Sequence, residues 1–243
     1  MILLRYSIFS LLFSLVCGSC TKNIEPSPSP NPIPPQDSIT TEKIDILALG
    51  DSYTKGESVP WTENFPNQLS RALQEKKYLV TGLRVIAQTG WRTDQLLSAL
   101  QNQNQDIKDS TFSLVTLCIG VNNQYTSGDV TVYQAQFEQL LLKAIQRAGG
   151  RKERVIVLSI PDYAYTPFGQ GNTAISAELD EFNAINKNIT NQYGISYVNV
   201  TDISRGGLNY PELVAGDGLH PSAKQYTAWV NLLLPACEIA LKP

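Results

Sequence analysis

From Lys43 onward, short apolar runs rich in β-branched residues alternate with longer stretches of helical period. The runs at 44–49, 83–88, 114–119, 155–160 and 196–200 are apolar at successive positions rather than at every second one, as expected of strands covered on both faces. They predict five strands of a parallel sheet. Between the third and fourth, Phe137, Leu140, Leu141, Ala144, Ile145 and Ala148 recur as a single helical stripe, and Gly149-Gly150 then ends the helix. Weaker helical patterns cover 64–76, 93–103, 175–192 and 223–241, the last interrupted by Pro235. Five βα units predict a three-layer α/β/α domain over 43–243 with flavodoxin-like strand order, whose function collects at the carboxyl ends of the strands.

The first 42 residues follow different rules. Arg5 precedes an apolar stretch over 8–16, too short to span a bilayer, and small Gly18 and Ser19 lead into Cys20. This predicts a signal peptide over 1–19. A cysteine straight after the cleavage point resembles the bacterial lipobox, in which Cys20 receives the lipid, although Cys17 stands where leucine is commoner. The run Pro26-Ser27-Pro28-Ser29-Pro30-Asn31-Pro32-Ile33-Pro34-Pro35 favours an extended chain, so 20–42 reads as a tether. The expected location is the cell envelope, lipid-anchored at Cys20 and periplasmic or surface-facing.

Composition narrows the classes further. Of 243 residues 42% are hydrophobic, enough for a sizeable core, and the net charge of −3 without a basic block excludes the phosphate-neutralising surface of a nucleic-acid binder. Cys118 in a strand and Cys237 in a helix read as two buried thiols rather than a disulfide. No spacing of ligands calls for a metal, and nothing calls for a cofactor.

Four short motifs could carry chemistry. Gly50-Asp51-Ser52 follows the first strand, where Gly50 is expected to supply a backbone angle closed to other residues and so present Ser52 at the sheet edge. Alone, such a triplet is more often a turn cap. Gly90 ends the second strand in Gln88-Thr89-Gly90-Trp91-Arg92-Thr93, with Thr93 a candidate cap for the next helix, and Asn122 follows the third strand in Gly120-Val121-Asn122-Asn123-Gln124-Tyr125. Asp217-Gly218-Leu219-His220 holds the only histidine of the chain, and Ser222 with Gln225 has capping-box spacing that fixes the helix start just after it. A carboxylate three residues before the imidazole can reach Nδ1 and leave Nε2 free to accept a serine proton.

Each motif is weak by itself, but the four occur in one order at the same edge of one predicted sheet. In this they resemble the SGNH hydrolases, also called GDSL esterases and lipases. The resemblance covers about 43 to the C-terminus and implies Ser52 as nucleophile, Asp217 and His220 as its acid–base partners, and the Ser52 amide, Gly90 and Asn122 as oxyanion donors. Tyr53 stands where that family often has leucine, which alters the pocket lining and not the reaction. Trp91, Asn123 and Tyr125, with Trp61 and Gln124 near them in sequence, could offer a sugar ring an aromatic face and amides, or the tryptophans could pack as core and rim. Asp162, after the fourth strand, could shape the pocket without a catalytic part. The function expected is hydrolysis of short-acyl, chiefly acetyl, esters on carbohydrate. The alternatives are lysophospholipase or thioesterase action on longer chains, or a glycan-binding lipoprotein without chemistry.

Overall fold

The computed structural model describes residues 42–102 and 110–242. The signal peptide, Cys20 and all but the last residue of the tether lie outside the described residues.

Five parallel strands form one sheet: β1 (Lys43–Gly50), β2 (Leu79–Ala87), β3 (Leu114–Cys118), β4 (Val155–Leu158) and β5 (Ser196–Val198), in the order β2-β1-β3-β4-β5. This is the flavodoxin-like order expected. β3 and β4 are buried at every position, which accounts for their unbroken apolar runs. The edge strand β2 begins four residues earlier than its sequence pattern predicts. Its first half alternates exposed and partly buried positions and carries Gly82, where a Cβ would meet the Asp45 carboxylate beside an irregularity of the β1–β2 register, so the apolar signal fades there.

The helices are α1 (Ser52–Lys55), α2 (Phe65–Glu75), α3 (Thr93–Gln101), α4 (Val121–Tyr125), α5 (Val130–Arg147), α6 (Thr173–Gln192), α7 (Thr201–Ser204) and α8 (Ala223–Ala240). The stripe on α5 is buried from Phe137 to Ala148 apart from a partly buried Ile145, and Gly149 and Gly150 end the helix with positive φ. α8 runs through Pro235 instead of breaking there. Pro235 lies on the exposed face between buried Leu233 and Cys237, where water can satisfy the carbonyl that the ring leaves without a donor. The buried face of α8, led by Tyr226, Trp229 and Leu233, rests on α2, and Gln68 of α2 clasps it by bonding the Ala223 carbonyl and the Thr227 hydroxyl. Cys118 and Cys237 are both free and buried. Among the described residues no helix is long and apolar enough to cross a membrane.

Strand register positions the site. Gly50 at the end of β1 pairs with Ala87 of β2 on one side and Cys118 of β3 on the other. The chain leaves all three strands at one level, at the point where strand order reverses, and a crevice opens there. Ser52, Gly90 and Asn122 follow two, three and four residues beyond those paired ends.

Candidate active site

Ser52 is the first residue of α1, and the residue is only 4% exposed. Gly50 permits this placement for a reason other than the one expected: its φ is not positive, but a Cβ would overlap Thr54 Oγ1 and the Cys118 carbonyl oxygen. The close approach of backbone, rather than a special angle, demands glycine. Asp51 caps α1 by accepting the Tyr53 amide at 3.0 Å, and Gly56 closes the helix in the left-handed region.

Gly90 has φ +83, and a Cβ there would meet nothing within 4 Å. An alanine at this position would be strained by its backbone and would project into open space. Asn122 is held by a hydrogen bond of 2.9 Å from Nδ2 to the Trp91 carbonyl, which leaves the second Nδ2 hydrogen available. Ser52, Gly90, Asn122 and His220 line one cavity of about 230 Å³.

His220 is fixed from both sides of its turn. Val214 and Pro221 form an antiparallel bridge, the Ala215 amide bonds the His220 carbonyl, and Ser222 caps α8 through the Gln225 amide. Only half of the expected capping box forms, because the Gln225 side chain bonds the Leu213 carbonyl instead. Gly218, at φ +73, bends the chain so that Asp217 Oδ1 accepts the Leu219 and His220 amides at 3.0 Å each, while Oδ2 lies 2.6 Å from His220 Nδ1. Partial burial would raise the Asp217 carboxyl, but hydrogen bonds from Ser58, His220 and these amides outweigh it and hold the group well below the usual carboxylate range. An ionised carboxylate only accepts, so Nδ1 carries the proton and Nε2 of the neutral ring is an acceptor. The Tyr53 ring meets the imidazole edge-on at 5.7 Å, with Trp229 behind it. Ser52 and His220 share the cavity wall without a direct hydrogen bond between Oγ and the ring, a contact that tightens when substrate binds.

Asp51 is buried beside Ser52, with Oδ2 lacking any hydrogen-bond partner. Burial pushes its carboxyl from 3.8 up to about 7, and the Tyr53, Gly120 and Asp51 amides offset only part of that. The folded protein therefore keeps a proton that the unfolded chain loses, so the resulting stability is full below about pH 4 and is lost as pH rises through about 7. Asp51→Asn keeps the cap acceptor and removes the titration. Its Tm is expected to be flat between pH 4.5 and 7.5 while that of the wild type falls; an equal fall in both would contradict this.

The predicted pocket residues divide. Tyr125 lines the cavity, in ring contact with Tyr163 and Phe168. Trp91 is partly buried against the core and serves the site through its carbonyl. Asn123 is buried and directed elsewhere: its Oδ1 accepts the Thr93 amide and its Nδ2 bonds the Thr93 hydroxyl. Asn123 is thus corrected from a substrate contact to a brace of α3. Thr93 is correspondingly the first helical residue and not its cap. Gln124 is buried and bonds Glu178, and Trp61 is exposed on a 3-10 turn outside the cavity wall.

Tyr163, Phe168, Leu219 and Thr89 also line the cavity and were not singled out from the sequence. The aromatic density of Tyr163-Ala164-Tyr165-Thr166-Pro167-Phe168 after a strand was the available signal. Asp162 braces this loop by accepting the Ala164 amide and pairing with Arg205 at 3.0 Å, and the Phe168 amide ties the loop to the Gly218 carbonyl. Among the described residues no group of His, Cys, Asp and Glu could hold a metal ion.

Comparison with known proteins agrees with this arrangement. The family model of the GDSL-like Lipase/Acylhydrolase family matches residues 48–228, a span that contains all four motifs. Protein YpmR of Bacillus subtilis (strain 168), itself uncharacterized, is 25% identical over 250 residues, covering 92% of this chain and 93% of its own. Among solved structures, the lipase Lip_vut3 from a goat rumen metagenome superposes with TM-score 0.67 at 22% identity, over 82% of this chain and 100% of that one. The acetylxylan esterase Axe2 of Geobacillus stearothermophilus gives TM-score 0.61 at 19% identity, over 80% and 94%. The two structural likenesses speak for the fold; the family match, running from the end of β1 into α8 across the whole crevice, speaks for the chemistry. The chain belongs to the GDSL-like lipase/acylhydrolase family, has the SGNH hydrolase fold, and is a hydrolase of ester bonds.

Proposed function

We propose that this protein is a serine esterase that works through an acyl-enzyme and removes short acyl groups, acetyl above all, from carbohydrate. The observation that carries the mechanism is that Ser52, Gly90, Asn122 and His220 line one cavity while Asp217 clasps the far nitrogen of the histidine. In this reading Nε2 of His220 takes the Ser52 proton as Oγ attacks the ester carbonyl. Asp217 keeps the ring in the required tautomer and stabilises the imidazolium. The Ser52 and Gly90 amides and Asn122 Nδ2 receive the oxyanion. The imidazolium then protonates the leaving alcohol, and a water activated by the same ring releases the acid.

The short-acyl part rests on the modest cavity. The carbohydrate part rests on Tyr125 and Phe168, each at least half exposed at its rim, where aromatic faces can meet a sugar ring. The likeness to Axe2 accords with it. A second reading, action on longer acyl chains, is favoured by the apolar contribution of Val121, Leu219 and Tyr163 to the same wall, and the likeness to Lip_vut3 accords with that. A series of nitrophenyl esters from C2 to C12 separates the two: kcat/KM should be highest at C2 to C4, and a maximum at C8 or beyond would overturn the short-acyl reading. The envelope location through Cys20 belongs to this proposal and is supported by the sequence pattern alone. Fatty-acid labelling of the wild type, absent from Cys20→Ser, is the expected result; an unlabelled wild type would refute it.

A further inference from the structure

We propose that Ser58 is a positioning residue for Asp217, an inference that rests on the reading of Asp217 and His220 as the acid–base pair. Ser58 Oγ donates to Asp217 Oδ2 at 2.6 Å, across 159 positions of chain. It shares that oxygen with His220 Nδ1, while Oδ1 is already engaged by the Leu219 and His220 amides. The hydroxyl thus supplies the fourth hydrogen bond to the carboxylate, and the one that comes from outside the 217–220 turn. The turn by itself can hold Oδ1; the Ser58 bond fixes the rotation that aims Oδ2 at the imidazole.

The backbone of Ser58 supports this assignment. Its φ of +64 lies in the left-handed region, uncommon for a residue other than glycine and kept where the surrounding structure enforces it. The chain beside Ser58 is held in place. Asn64 Nδ2 bonds the Lys55 carbonyl at 2.9 Å, and Lys55 pairs with Glu57 at 3.0 Å. Glu57 also accepts from the Thr89 hydroxyl, and Thr89 lines the cavity next to Gly90. Ser58 is therefore held between the wall that bears Gly90 and the turn that bears His220.

The strained angle makes the test informative, because glycine relieves the backbone while deleting the hydroxyl. With p-nitrophenyl acetate as substrate, Ser58→Gly should lose about tenfold in kcat, the scale of one hydrogen bond to a charged group, with KM unchanged and Tm equal to or above that of the wild type. Ser58→Ala should show the same loss of kcat with a lower Tm, because it lacks the hydroxyl but keeps the strain. A purely structural role predicts the same Tm for glycine but undiminished turnover. Wild-type kcat in either variant, alongside an inactive Asp217→Asn, would overturn the inference and leave the acid–base reading standing. Wild-type kcat in Asp217→Asn would overturn the acid–base reading itself.

Discussion

Ser52→Ala is expected to give a folded protein whose kcat has fallen by roughly 10⁴- to 10⁶-fold, the scale seen when a serine nucleophile is deleted. The fold should survive because the hydroxyl does no structural work. The cap of α1 comes from Asp51, and the tight passage of the chain comes from Gly50. Removing one oxygen from a side chain that faces the cavity opens no hole in the core. Turnover should nearly vanish because the hydroxyl that attacks the ester is gone. Since the chain has no second histidine, a neighbouring imidazole cannot activate a substitute nucleophile. Equal turnover by the variant and the wild type in a nitrophenyl acetate assay would dismiss Ser52 as the nucleophile.

The second large effect is expected at Asn122. Loss of one oxyanion donor typically costs about 10²- to 10³-fold in kcat, about 3 to 4 kcal/mol of barrier, and Asn122→Ala should fall in that range with KM little changed. The variant also loses the bond from Nδ2 to the Trp91 carbonyl, a contact only partly buried and replaceable by water, so the stability cost should stay at about 1 kcal/mol. Asn122→Asp separates the two contributions. It preserves shape but sets an acceptor against both the Trp91 carbonyl and the developing oxyanion, so its kcat should be no better than that of alanine. Activity well above that of the alanine variant would show that shape, and not donation, is what Asn122 supplies.

These expectations show which parts of the molecule were legible in the chain. Strands buried on both faces announce themselves, as β3 and β4 do, because every position must be apolar. The first half of β2 does not, because an edge strand with Gly82 at an irregular register owes its place to its partner rather than to its own side chains. Ser52, Gly90 and Asn122 were readable because they come soon after strand ends that the register of β1 brings to one level. Orientation was not. Asn122 and Asn123 are neighbours on α4, where successive side chains diverge by about 100°, so only one of them faces the cavity and the other turns to Thr93. Gly50 was correctly singled out but for the wrong reason, since crowding by a neighbouring strand is a tertiary fact. Ser58 had no local signal at all: a serine in Glu57-Ser58-Val59-Pro60 resembles any loop serine until folding brings Asp217 to it.

The Ser52 hydroxyl, on the cavity wall and without a hydrogen bond of its own, becomes a nucleophile through His220 on the same cavity. The most direct test is the rate of covalent labelling by a fluorophosphonate, with the modified residue mapped by peptide mass. The label should fall on Ser52 alone in the wild type and be all but absent from His220→Ala. A label on a different residue, or undiminished labelling of Ser52 without His220, would contradict the account.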